Sequence, residues 1–225
     1  MIRGVLLDYS GTLFRLEPGA DWARELDGPP LSEGRQAEIL VGLTAPVGPA
    51  AHLPADLLDD WNRRDLDPAL HRSVHIAALK ASGMDTDGLP EQVYQRILDP
   101  ASWRPYPDTG DALRALRDNG IPVAVLSNIA WDIRDVFAHN GFDGLVDEFV
   151  LSYVEGMVKP DPNIFLLACE RIGVAPADAL MIGDSAEADG AAAAVGCRFE
   201  RVEPQATANR PDALVSALRA HGLAG

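Results

Sequence analysis

The chain has 225 residues, 47% of them hydrophobic, enough for one sizeable core or a core with a smaller inserted domain, and too apolar to be disordered throughout. Its formal charge of −15, from 34 acidic against 19 basic residues, repels phosphate backbones and anionic lipid, which excludes nucleic acids and membrane surfaces as natural partners. The first apolar run stops at Asp8, too early for a signal-peptide core or a membrane span, and Cys169 and Cys197 lie in no metal or redox spacing and read as small buried side chains. A cytoplasmic protein in a reducing compartment, acting as a monomer or homodimer, is expected. Lys80 and Lys159 are the only lysines, which makes each conspicuous.

In chain order, residues 5–7 form a first buried strand that ends in Asp8. Helical patterns follow at 32–41, 54–64, 68–81 and 90–98 before the next strand signal. A parallel crossover needs a single helix, so this long excursion reads as an inserted all-helical cap domain, residues 16–103, over the carboxyl edge of a sheet. Pro105 and Pro107 mark its return. From there strands at 121–126, 148–151, 179–182 and 198–202 alternate with helices at 109–119, 131–140, 162–172, 186–195 and 212–221. Gly120, Gly141, Gly173 and Gly196 each follow a helical run, where a left-handed C-terminal cap is wanted. The expected fold is α/β: a doubly wound, Rossmann-like parallel sheet formed by residues 1–15 and 104–225, with all five strands buried and the cap inserted between the first two.

Open parallel sheets gather reactive groups at the carboxyl ends of their strands. Here the first strand ends in Asp8-Tyr9-Ser10-Gly11-Thr12, the second in Ser127-Asn128 and the fourth in Gly183-Asp184-Ser185, with Asp189 further on; Val158-Lys159-Pro160 precedes the fourth. Asp8, Asp184 and Asp189 sum to −3, which Lys159 and one divalent cation would balance, and hard oxygen donors suit Mg²⁺. Plainer readings exist for each: a turn-capping Asp8, a helix-capping Ser127, a solvated Lys159, and an Asp189 that merely suits a helix N-terminus.

The four segments, in this order, resemble the four motifs of the haloacid dehalogenase superfamily, in the subgroup with a helical cap between the first and second motif. The resemblance covers nearly the whole chain. It implies that Asp8 is the nucleophile of an aspartyl intermediate and that Mg²⁺ is held by Asp8, the Ser10 carbonyl and Asp184, with Asp189 contributing indirectly or through water. It further implies that Ser127 and the amide of Asn128 hold the transferring phosphoryl oxygens, and that Lys159 bridges nucleophile and phosphoryl group. The substrate implied is a small phosphorylated or phosphonate metabolite.

Phosphatases of this family usually carry a second aspartate at the position of Ser10, where it protonates the leaving group and later activates water. A hydroxyl is too weak an acid for that task, and a positioned acid or base supplies about 10²–10⁴ in rate, or roughly 3–5 kcal/mol. Four readings follow. A phosphatase could use an acidic leaving group or a proton from the cap or the substrate, a cap histidine being the first suspect. A phosphonate hydrolase would form an imine on the sole cap lysine, Lys80. A 2-haloacid dehalogenase is suggested by Gly11-Thr12-Leu13-Phe14, but such enzymes need no metal and would have little use for both Asp184 and Asp189. A catalytically weak binding or regulatory protein would keep the cleft without turnover. Substrate choice is expected in the cap, with Trp22, Trp61, His52, Arg63, Arg64, His71, Arg72 and His75 as candidates and two of His71, Arg72 and His75 facing the cleft.

Overall fold

The computed structural model describes residues 1–19, 22–27, 30–44 and 53–224; His52 lies outside them. The elements run β1 (Gly4–Leu7), β2 (Phe14–Leu16), α1 (Glu33–Leu43), α2 (Leu58–Asn62), α3 (Pro68–Ala81), α4 (Leu89–Leu98), β3 (Trp103–Pro105) and α5 (Thr109–Asp118). They continue with β4 (Val123–Ser127), α6 (Arg134–His139), β5 (Glu148–Leu151), α7 (Ser152–Glu155), α8 (Pro162–Arg171), β6 (Ala179–Gly183), β7 (Arg198–Arg201) and α9 (Ala213–Ala220).

The five-stranded sheet has the order β5-β4-β1-β6-β7 and is parallel throughout, with Leu6 opposite Ala124 on one side and Met181 on the other. The chain leaves β1 for β4 and β5, then crosses back to β6 and β7, so the strand order reverses beside β1 and opens a crevice at the carboxyl ends. Side chains alternate across the central strands. Val5, Leu7, Val123, Val125, Leu180 and Ile182 pack into one cluster, and Leu6, Ala124, Leu126, Ala179 and Met181 into another. Both faces are therefore buried, as a parallel sheet requires. Cys169 and Cys197 are buried and unbridged beneath the second face.

Local chemistry fixes the helix starts. The Asp67 carboxylate accepts from the amides of Ala69 at 2.7 Å and Leu70 at 2.8 Å, and Pro68 occupies the first turn where no amide is needed, so α3 begins where the sequence predicts. Ser32 and Asp161 cap α1 and α8 in the same way. Gly120, Gly141, Gly173 and Gly196 all have positive φ at helix ends.

Four expectations are corrected. The excursion after β1 is not wholly helical: β2 and β3 pair antiparallel at its foot, with Phe14 opposite Pro105 and Leu16 opposite Trp103. These runs are short and contain Arg15 and Arg104, so their hydrophobic alternation is weak. The last strand is not buried but is a half-exposed edge, as its flanking arginines suit. Residues 186–195 form no α-helix; only a 3₁₀ turn, Gly190–Val195, appears. Ser185 and Asp189 engage backbone and neighbouring groups there instead of supporting a regular first turn. The stretch 54–64 is likewise broken into a 3₁₀ turn, the short α2 and the start of a second turn, Arg64–Leu66.

Candidate active site

Asp8 follows β1 directly and is buried. Its carboxylate accepts from Thr12 Oγ1 at 3.0 Å on one oxygen and from Lys159 Nζ at 2.7 Å on the other. The chain can double back to bring Thr12 over Asp8 because Gly11 adopts φ +81. A side chain at Gly11 would collide with the Asp184 carboxylate, so the glycine also lets the fourth-strand loop approach the first. Arg210 holds this turn from outside: its guanidinium donates to the carbonyl of Gly11 at 2.7 Å and to that of Thr12, and lies over the Tyr106 ring.

Lys159 is the hub of the site. Its ammonium also donates to Asp189 Oδ1 at 2.6 Å and to the Leu126 carbonyl at 3.1 Å. The Asn128 side chain fixes the Lys159 backbone, accepting from its amide at 2.7 Å and donating to its carbonyl at 2.8 Å. The other Asp189 oxygen accepts from the Ser185 amide at 3.0 Å, and Gly183 leaves the space in which that carboxylate sits. Ser127 is buried at the end of β4 and lines the same cavity.

One ammonium faces three carboxylates. Burial, with the charge of Asp189 adding to it, pushes Asp8 up to about 6 despite the pull of Lys159. Burial, Asp8 and Asp189 together push Asp184 up to about 7. Burial alone would lower Lys159, but Asp189 and Asp8 hold it firmly protonated. Oxygens of Asp8, Asp184 and Asp189 lie within 4.8 Å of one another, a donor set spaced to hold one metal ion.

The cavity above these groups, about 70 Å³, is lined by all the sequence-predicted residues: Asp8, Ser10, Ser127, Asn128, Lys159, Asp184 and Asp189. The helical excursion contributes Arg64, Asp65 and His71. Of the other candidates, His75 is buried behind His71 with rings stacked at 3.9 Å, and Trp61 packs against Val74 and Ala78. Trp22 belongs to the main core, while Arg63 and Arg72 are exposed. Only His71 of the trio His71, Arg72 and His75 faces the cleft, because positions 71 and 75 share a helix face that is mostly buried. Lys80 is exposed and lines a different depression with Asp85, Asp87 and Glu91. Sequence reasoning missed Asp65, hidden in the charged stretch Arg63-Arg64-Asp65 that reads as solvated surface, and Arg210, for which no local signal existed.

Fold and site define a doubly wound α/β hydrolase with an acidic cleft at its topological switch point. The chain belongs to a known family: the model described as haloacid dehalogenase-like hydrolase matches residues 2–196. It is 30% identical over 200 residues to a phosphoglycolate phosphatase of Thiobacillus denitrificans, covering 87% of this chain and 81% of that protein. It is 34% identical over 101 residues to haloacid dehalogenase-like hydrolase domain-containing protein 3 of Bos taurus; there the match covers 45% of this chain and spans only 40% of the bovine protein. Among solved structures, the L-2-haloacid dehalogenase from Xanthobacter autotrophicus is similar with a TM-score of 0.69 at 24% identity, over 96% of this chain and 83% of that one, a likeness of fold. Among the described residues no helix is long and apolar enough to cross a membrane.

Proposed function

We propose that this hydrolase is a cytoplasmic, Mg²⁺-dependent phosphohydrolase that acts on a small phosphorylated metabolite through an aspartyl-phosphate on Asp8. In this reading residues 16–103 are a cap over the core of residues 1–15 and 104–225, and the protein works as a monomer or homodimer. The observation that carries it is the set of three converging carboxylates with a single lysine between them. A dehalogenase acting without metal has no use for the uncompensated charge of Asp184, and the exposure of Lys80 speaks against an imine-forming phosphonate hydrolase. The extended similarity to a phosphoglycolate phosphatase supports the same choice.

The donor set fits a hard divalent cation. Asp184 lies beside Gly11 with its carboxylate in the cleft, and both it and Asp8 are driven toward protonation by burial and by the neighbouring carboxylates, which a bound cation would offset. Asp8, Asp184 and the Ser10 carbonyl would hold Mg²⁺, with Asp189 contributing indirectly; when bound, the ion offsets negative charge on the phosphoryl group.

The chain's own residues do the rest. Thr12 and Lys159 each grip one oxygen of Asp8 and fix the carboxylate for in-line attack on phosphorus. The buried ammonium of Lys159 also meets the charge that builds on the equatorial oxygens, and the Ser127 hydroxyl and Asn128 amide donate to those oxygens. The side-chain amide of Asn128 is committed to Lys159, which leaves the backbone N–H for this task.

The test is release of phosphate from p-nitrophenyl phosphate, acetyl phosphate and a panel of small phosphomonoesters, with and without Mg²⁺, beside halide release from 2-chloropropionate. Mg²⁺-dependent turnover with phosphate trapped on Asp8 is expected. Halide release without metal, or no phosphate release from any ester, would overturn it.

A further inference from the structure

Ser10 leaves the phosphohydrolase reading without an acid and base for the leaving group and the water. We infer that Asp65, from the turn between α2 and α3, fills that role across the cavity from Asp8. The proposal rests on the reading above and deepens it.

Elimination leads there first. The titratable groups that line the cavity among the described residues are Asp8, Arg64, Asp65, His71, Lys159, Asp184 and Asp189. Asp8 is the nucleophile; Asp184 belongs to the cation; Asp189 is spent on Lys159 and the Ser185 amide. Lys159 and Arg64 are too basic to cycle near neutral pH. His71, the expected histidine, is pushed down to about 2 by burial and by the nearby His75 and Arg64, and His75 behind it to about 4. Both rings stay neutral and give up no proton. Asp65 remains.

Geometry supports it independently. The Asp65 side chain is only 14% exposed, and its backbone is pinned to the sheet side of the cleft: Ser152 Oγ donates to the Asp65 carbonyl at 2.6 Å. Ser152 is itself buried at the end of β5 and accepts from the Ile129 amide at 2.8 Å. Asp65 is thus a fixed part of the cavity wall. The charged and titratable groups facing its carboxyl are Arg64, His71 and Lys159. Arg64 Nη2 stands 3.7 Å from one oxygen and His71 Nε2 3.9 Å from the other, both beyond hydrogen-bond reach, so the carboxyl is free to hold and pass a proton. Burial raises its pKa against the pull of Arg64 and Lys159, the direction an acid catalyst needs.

The step balances. As an Asp8 oxygen bonds to phosphorus and the ester P–O bond breaks, the Asp65 carboxylic acid gives its proton to the departing alkoxide. The resulting carboxylate then takes a proton from water while the water oxygen bonds to phosphorus and the Asp8–phosphorus linkage breaks. Phosphate leaves and Asp65 is again protonated.

The experiment compares wild type, D65N and D65N/S10D with Mg²⁺ on p-nitrophenyl phosphate and on an alkyl phosphate that the wild type hydrolyses. For D65N, steady-state turnover should fall about 10²–10⁴-fold. With the aryl ester that slow phase should follow a burst of one nitrophenolate per enzyme, because the leaving group needs no acid but the second step still needs a base. The alkyl ester should show no burst, and Ser10→Asp should restore part of the loss. As a second reading, Asp65→Ala should be rescued by added formate, which a merely structural residue would not allow. Wild-type turnover in D65N, or a loss with neither burst, nor rescue by Ser10→Asp, nor rescue by formate, would overturn the assignment while leaving the phosphohydrolase reading intact. A wild type without Mg²⁺-dependent activity on any ester would remove both.

Discussion

Lys159 donates to Asp189 at 2.6 Å while its other carboxylate contact, to Asp8, spans 2.7 Å. Asp189 therefore anchors the ammonium that steadies Asp8, the proposed nucleophile, and its own second oxygen is anchored by the Ser185 amide. Asp189→Asn keeps the shape and loses the charge, so kcat should fall about 10–100-fold, the usual effect of losing a supporting partner. KM should change little, because Asp189 does not meet the substrate. Steady-state kinetics separate the two parameters; a large KM effect with kcat unchanged would place Asp189 in substrate binding.

Asp8→Asn should abolish turnover and phosphate trapping, since the amide cannot attack phosphorus. The fold should survive, and above pH 7 the metal-free variant should melt at a higher temperature than the wild type because it removes one of three crowded charges. Phosphate release together with melting curves checks both halves; residual turnover would remove Asp8 as nucleophile.

Without metal, the part of the stability set by Asp8 and Asp184 should fall as pH rises. Asp8 and Asp184 are raised from 3.8 to about 6 and about 7, so the folded state favours their protonated forms. That contribution is complete below the unfolded value of 3.8 and is lost as pH climbs through 6 and 7. Below pH 6.5 the lowered His71 and His75 act in the opposite sense, so in chelator the melting temperature should drop between pH 6.5 and pH 8, and millimolar Mg²⁺ should stabilise the protein more at pH 8 than at pH 5. Equal Mg²⁺ effects at the two pH values would argue that the cation binds elsewhere.

Arg210→Met should loosen the turn that carries Asp8. It removes donors from the buried carbonyls of Gly11 and Thr12, at about 1–3 kcal/mol for a buried acceptor left unsatisfied. Denaturant unfolding should register the loss, and kcat should fall with it as Asp8 loses its fixed position. A variant as stable and active as the wild type would show that the Thr12–Asp8 contact holds the turn alone.

Gly183→Ala places a methyl group where the Asp189 carboxylate lies, and the backbone of β6 cannot yield. Displacement of Asp189 should lower kcat at least as much as Asp189→Asn does, which kinetics on both variants can compare.

Much of this molecule is written locally. The runs that became β1, β4, β5 and β6 are apolar and bounded by turn residues, and Asp67-Pro68 fixes the start of α3 by capping chemistry within four residues. Asp8 and Asp184 stand directly after such strands, Asp189 follows five residues on, and Lys159 is one of only two lysines, which is why the four were legible as a group. What the sequence could not disclose depends on partners far along the chain. Arg210 meets Gly11 across 199 positions, Ser152 fixes Asp65 across 87, and β2 finds β3 only because the excursion folds back on itself. Burial raises the Asp65 carboxyl and lowers the His71 ring from their usual ranges, and burial is a property of packing: the same Arg-Arg-Asp stretch left in water would be an ordinary solvated turn.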